Sequence, residues 1–202
     1  MRDRVVEIGV ATLPLEGEEE SGDLHLVEPF DAGVLVAAVD GLGHGGDAAT
    51  AARLACSTLE EDPGAALPDL FERCHRRLAR TRGVVMSLAS FSEHDGGMTW
   101  LGVGNVEGVL VRAEAGDGPA SESILLMGGV VGYQLPPLRP STLRVSEGDT
   151  LLLTTDGIRT GFSEALEVGE PAQRTADRIL ADYARQTDDA LVVVARYLGT
   201  EL

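Results

Sequence analysis

Basic residues are scarce in this chain: 16 Lys and Arg stand against 33 Asp and Glu, a formal net charge of −17. A surface of that sign repels a phosphate backbone, which argues against nucleic acid as a partner. Cysteine is scarcer still. Cys56 and Cys74 lack zinc-type spacing and each falls in an apolar helical pattern, so both read as reduced core residues. No apolar run reaches the roughly 18 residues that a spanning helix needs. Residues 1–15 carry Arg2, Arg4 and Glu7 among apolar positions and lack the hydrophobic stretch of a signal peptide. Together these absences predict a cytoplasmic protein with no membrane insertion. Aromatics are only 4% of the chain, yet 44% of residues are hydrophobic and 24% charged, the balance of a folded globular protein rather than a disordered one.

The 202 residues suit one domain, and the loops at 115–121 and 136–140 are too short to divide it. The acidic run EGEEES at 16–21 reads as a solvated loop. Strand-like segments are predicted at Val5–Leu13, Asp23–Pro29 and Gly33–Asp40. Asp47 is placed to cap a helix with Ala48, Ala51, Ala52, Ala55 and Leu59 at helical spacing, ending near Asp62. A second helix carries Leu67, Leu70, Phe71, Cys74 and Leu78 on one face, with Pro68 near its start. From Val84 the period changes to two. Segments at Val84–Ser92, Met98–Val103, Val106–Arg112, Ser123–Met127 and Leu143–Val145 read as a meander joined by glycine-rich turns. A strand at Thr150–Asp156, a helix at Pro171–Tyr183 and a strand at Leu191–Tyr197 complete the chain. That order predicts an α+β layered domain with mainly antiparallel pairing, not a βαβ repeat.

The chemistry lies in acidic residues at strand ends. Two apolar runs stop at Asp-Gly, GVLVAAVDGLGHGGD at 33–47 and DTLLLTTDGIRTG at 149–161. The glycine in each lets backbone or ligand come close. Asp23 in SGDLHLV and Asp188 in QTDDALVVVARY sit at two further strand edges. A single strand-end Asp is usually a turn residue or a cap; four in corresponding places are harder to explain so. If they converge, each pair about 5 Å apart repels by roughly 3 kcal/mol at an effective dielectric of 20. Cations would then be required. Oxygen-only donors suit magnesium or manganese, and two such ions about 3.5–4 Å apart can acidify a bridging water and orient it for in-line attack on phosphorus.

Here the chain resembles the metal-dependent 2C-type protein serine/threonine phosphatases, in particular the bacterial SpoIIE/RsbU branch. The likeness runs from SGD at 21–23 to DDALVVVARY at 188–197. It implies a four-layer α-β-β-α sandwich with two central, mainly antiparallel sheets. It implies, too, that Asp40 bridges two metals, that Gly41 offers a backbone carbonyl, that Asp156 and Asp188 bind the neighbouring metal, and that Asp23 is the upstream ligand. Asp189, adjacent to Asp188, leaves a one-position ambiguity. The short length, GHG after the first Asp-Gly, TWLGVGNVEGVLV at 99–111 and GGVVGYQLPP at 128–137 look most like the RsbX-like members, which dephosphorylate the STAS-domain stressosome proteins RsbR and RsbS.

The chain also departs from eukaryotic relatives. Leu42 follows Gly41 where they place a His, and residues 16–22 contain no basic group to meet phosphate. His44 is then the candidate proton donor to the leaving oxygen. His25, His75 and His94 have no ligand-spaced partner and read as surface or satisfied core residues. GVGNVEG at 102–108 joins two strands and does not open a helix, so it is not a nucleotide cradle. Two other functions stay open: a catalytically inactive phosphatase-like module that binds a phosphoprotein scaffold, and an ATP-binding regulatory kinase of the anti-sigma type, for which DGLGHG offers little.

Overall fold

A computed structural model describes residues 5–18, 20–114, 119–167 and 169–199. Arg2 and Arg4, Glu19 of the acidic run and residues 115–118 of the loop at 115–121 lie outside the described residues. The elements follow in order: β1 (Val6–Leu13), β2 (Asp23–Phe30), β3 (Gly33–Gly41), α1 (Gly46–Glu60), α2 (Leu67–Leu78), β4 (Val84–Ser92), β5 (Gly97–Val103) and β6 (Glu107–Val111). After these come β7 (Ser121–Ser123), β8 (Leu126–Met127), β9 (Ser141–Arg144), β10 (Thr150–Thr154), a 3-10 turn at Phe162–Ala165, α3 (Ala172–Tyr183) and β11 (Ala190–Tyr197).

Two sheets result. One has the order β1-β11-β10-β6-β7, the other β2-β3-β4-β5-β8, with β9 added on β5. All pairings are antiparallel except β5 with β8. Strand alternation sorts the apolar side chains into three cores. Val34, Val36 and Ala38 of β3 meet Leu151 and Leu153 of β10 and Leu191 and Val193 of β11 between the sheets. Leu35, Ala37 and Val39 point the other way, onto Ala51, Ala52 and Ala55 of α1 and Leu70, Phe71 and Cys74 of α2. Leu152, Val192 and Val194 face Ala172, Ala176 and Ile179 of α3. Helix, sheet, sheet and helix thus form the four layers expected from the resemblance.

Two local expectations need correction. Ser123–Met127 is not one strand: β7 pairs with β6 in the first sheet and β8 with β5 in the second. Leu125 lies at the crossing, 71% exposed, while Ile124 is buried. The alternating pattern is the same whichever sheet accepts each half, so it cannot reveal the break. Asp47 does not cap α1. Gly45 occupies the cap position with φ 72, a conformation that favours glycine, and no side chain bonds there. Asp47 sits in the first turn, 3.1 Å from Arg82 Nη2.

Helix α3 approaches β1 through Gly9, where an added Cβ would stand 2.2 Å from the Ala172 carbonyl carbon. Glycine here sets the spacing between helix and sheet. We expect Gly9→Ala to lower the unfolding free energy by about 1–3 kcal/mol, measured by urea titration; an unchanged midpoint would show that α3 is free to shift.

Candidate metal centre

The ends of both sheets that carry the acidic residues come together at one place. In the second sheet, Asp23 and Asp40 are direct partners across the β2–β3 ladder. Asp40 has the parity of Val34, Val36 and Ala38, and Asp23 that of Val27, so both side chains belong to the face between the sheets. Like charges at directly opposed positions destabilise a sheet. Across the gap, Asp156 follows β10 by two residues and Asp188 precedes β11 by two. Thr155 joins the two sheets: its hydroxyl donates to Asp23 Oδ2 at 2.6 Å and accepts from the Leu191 amide at 2.9 Å.

Electrostatics record the crowding. Asp40 is pushed up to about 8, first by burial and then by Asp23, Asp156, Asp188 and Asp189. Asp23 is pushed up to about 7, again mainly by burial; the Thr155 hydrogen bond works in the opposite direction. Asp188 is raised by burial and by Asp156, against which the Asp189 amide and His44 pull it down. Such groups are stable as anions only when positive charge joins them.

The adjacent acids part company. Asp189 is buried, and its oxygens accept from the Leu15 amide and the Gly22 amide, each at 2.8 Å. Asp188 instead lines a cleft of about 520 Å³ together with Asp40, Asp156, Asn105, Gly43 and His44. Asp23, 4% exposed, does not line it. Asn105 donates to Asp156 Oδ2 at 2.8 Å. His44 is largely exposed at the cleft, with Nδ1 2.6 Å from Glu18 Oε1. Gly41 is buried under α1; a Cβ there would stand 2.2 Å from the Ala48 carbonyl oxygen, and its amide donates to the Gly22 carbonyl at 3.0 Å.

Among the described residues no group of three or more His, Cys, Asp and Glu side chains is arranged to hold an ion by itself. The donor set still fits hard divalent cations. It is all oxygen, several of its carboxylates are buried and crowded by one another, and magnesium in particular keeps waters and uses few protein ligands. Of the residues outside the sequence-based set, Asn105 and Thr155 have the closest ties to it. Asn105 sat in a segment read as a connection between strands and as part of the family likeness, without a role of its own; Thr155 directly precedes Asp156, but only the sheet-to-sheet approach shows what it touches.

Two stacked antiparallel sheets flanked by helices, with acidic strand ends converging at one edge, define a 2C-type phosphatase. The model for the SpoIIE family (Stage II sporulation protein E) matches residues 31–198, so the chain belongs to that family, in the SpoIIE/RsbU branch of the 2C-type protein serine/threonine phosphatases. A chain from a structure described as "The bacterial stressosome: a modular system that has been adapted to control secondary messenger signaling" is 32% identical, with 95% of this chain and 99% of that one covered and a TM-score of 0.86. RsbX in complex with magnesium shares the fold at 20% identity, 98% of both chains and a TM-score of 0.86. The catalytic domain of the serine/threonine phosphatase PstP, in complex with two manganese ions, shares it at 19% identity, 96% of this chain and 99% of that one, with a TM-score of 0.71. No curated protein sequence matches the chain.

The raised carboxyls set a pH dependence for the metal-free protein. An acid whose folded value lies above its unfolded one, here about 8 and about 7 against 3.8, holds an extra proton in the folded state. Stability is therefore greatest below the unfolded value and falls as pH rises through 4 to 8. We expect the melting temperature of chelator-treated protein to fall over that range. Asp40→Asn should raise it at pH 8 by about 5 °C, and added manganese should raise the wild type more at pH 8 than at pH 5. A flat profile in scanning calorimetry would show that these carboxyls are neither desolvated nor crowded by one another.

Proposed function

We propose that the protein hydrolyses phosphoserine and phosphothreonine on stressosome scaffold proteins of the RsbR and RsbS type, STAS-domain proteins, using magnesium or manganese, with residues 1–202 as one phosphatase domain. The observation that carries the hydrolytic part is the meeting of Asp23 and Asp40, opposed on one ladder, with Asp156 and Asp188 across the same cleft edge. Similarity to the stressosome chain and to magnesium-bound RsbX supports the choice of substrate and cation.

In this reading Asp40 would be shared by the two cations, Asp156 and Asp188 would hold one of them, and Asp23 with the Gly41 carbonyl would serve the other. When bound, the cations supply Lewis-acid chemistry, neutralising phosphoryl charge and acidifying water. The chain's own residues do the rest. Asn105 fixes the orientation of Asp156, and Thr155 donates a hydrogen bond to Asp23 that favours its ionised form. Asp189 pins the loop at Leu15 and Gly22 to the base of β11, which leaves Asp188 as the ligand. Water attacks phosphorus and releases one proton to solvent, the bond from phosphorus to the serine or threonine oxygen breaks, and that oxygen takes a proton, giving the free hydroxyl and hydrogen phosphate. His44 is the donor, with Glu18 holding Nδ1 and leaving Nε2 for the transfer. No cysteinyl-phosphate forms: both cysteines are buried, with thiols pushed up to about 12, too high for nucleophiles.

Asp40→Ala and Asp156→Ala should each abolish manganese-dependent hydrolysis of a phosphoserine peptide. Activity retained in either folded variant would overturn the assigned roles. Asn105→Ala should cost about 10–100-fold in activity or metal affinity, as loss of a group that orients a ligand does. If the wild type turns over no substrate with any divalent cation after chelation and add-back, the protein is instead a phosphoprotein-binding module.

Asp188→Asn and Asp189→Asn should separate by readout. The first is expected to remove activity without lowering the melting temperature of the metal-free protein. The second should lower it, because asparagine keeps an acceptor oxygen for only one of the Leu15 and Gly22 amides and turns an amino group on the other. The reverse pattern in paired melting and activity assays would exchange their roles.

A further inference from the structure

The cleft is lined by carboxylates in a chain of net charge −17, yet the substrate it is proposed to take is an anion. Residues 16–22 carry no basic side chain, so any positive charge for recognition beyond that of the cations comes from another segment. The fold supplies one. Arg82 lies in the turn between α2 and β4, two residues before Val84, the ladder partner of Gly41. That turn is fixed on both sides: the Leu42 amide donates to the Gly83 carbonyl at 3.1 Å, and Val84 and Val131 exchange backbone bonds at 2.9 and 2.8 Å.

The guanidinium reaches over the glycine loop. A Cβ on Gly43, which lines the cleft, would stand 2.6 Å from Arg82 Nη1, so the absence of a side chain there makes room for the arginine. Nη2 rests on Asp47 at 3.1 Å, with the Arg82 side chain 51% and the Asp47 side chain 76% exposed. An ion pair that open is weak and easily exchanged for a better anion. Two other arginines differ in how firmly they are held. Arg159 donates to the carbonyls of Asp182 and Tyr183 while lying over the Tyr183 ring, whereas Arg53 bonds Glu20 on the exposed side of α1 in a pair about as open as that of Arg82 and does not come within 4 Å of a Cβ placed on Gly43.

We propose that Arg82 is a substrate-recognition residue, which leaves Asp47 to bind an anionic group of the phosphorylated segment entering the cleft. This rests on the phosphatase reading above. The anion is the phosphoryl group itself or a carboxylate beside it in the peptide; a guanidinium pairs with either through the same planar donors.

The test compares wild type, Arg82→Ala, Arg82→Lys and Arg73→Ala, the last a control arginine paired with Asp62 on α2. Substrates are p-nitrophenyl phosphate and two phosphoserine peptides, one with acidic flanks and one with neutral flanks, in manganese. Arg82→Ala should raise KM for a phosphopeptide about tenfold with kcat within about threefold, and Arg82→Lys should recover part of the loss. Arg73→Ala should leave both constants unchanged. A rise on all three substrates identifies the phosphoryl group; a rise confined to the acidic peptide identifies the flanking carboxylate. KM within about twofold of wild type on every substrate, or an equal change in Arg73→Ala, overturns the proposal. Fluorescence anisotropy of a labelled phosphopeptide separates it from the catalytic reading. Binding lost in Arg82→Ala when wild type binds without turnover upholds Arg82 and sinks the hydrolase; turnover with unaltered binding in the variant does the opposite.

Discussion

The constraint on which the rest depends is the repulsion of acidic side chains held at the mouth of a hydrophobic sandwich. Asp23 and Asp40 oppose each other on one ladder, facing inward, where desolvation alone raises both. An isolated pair of this kind would be expelled from a sheet. It persists here because the apolar residues behind it on the same strands, Val34, Val36 and Ala38 on β3 and Val27 on β2, fix the register. A slip by one residue would move those groups out of the core and cost far more than the crowding. The fold therefore supplies the stability, and the acidic edge holds unfavourable charge ready for a cation.

The scaffold around that edge works by bonds to backbone. Asp189 fastens Leu15 and Gly22, Thr155 links Asp23 to the Leu191 amide, and Gly41 receives α1 at a distance only glycine allows. The Asp189 and Thr155 ties join segments far apart in sequence, so the relative placement of the two sheets is set where the chemistry is. A carboxylate facing the cleft and one bound into backbone thus stand next to each other at 188 and 189, alike in composition and opposite in environment. The same division recurs among the arginines, where Arg159 is bound into carbonyls and Arg82 stays at the rim on an exchangeable partner.

Much of the fold was legible in the chain. The change of period at Val84, the helical spacing of Leu67, Leu70, Phe71, Cys74 and Leu78, and the apolar runs ending at Asp40 and near Asp156 all reappear as elements within a residue or two. Alternation and helical spacing are local properties, which is why they can be read. The break between β7 and β8 could not be read, because Ser123–Met127 has the same pattern whether one sheet or two receive it. Nor could the cap of α1, where a glycine conformation displaced the expected Asp47.

The sequence by itself determined which residue types end the strands: four aspartates, two glycines and a histidine in the loop that follows, together with the family resemblance they carry. Those are facts of order and spacing, fixed before any contact forms. Tertiary structure alone decided that Asp189 turns into the backbone while Asp188 faces the cleft, that Asn105 meets Asp156, that Thr155 spans the sheets, and that Arg82 lies over Gly43. The physical reason is that burial and hydrogen bonding depend on segments separated by tens of residues or more, and no local pattern encodes where those segments meet.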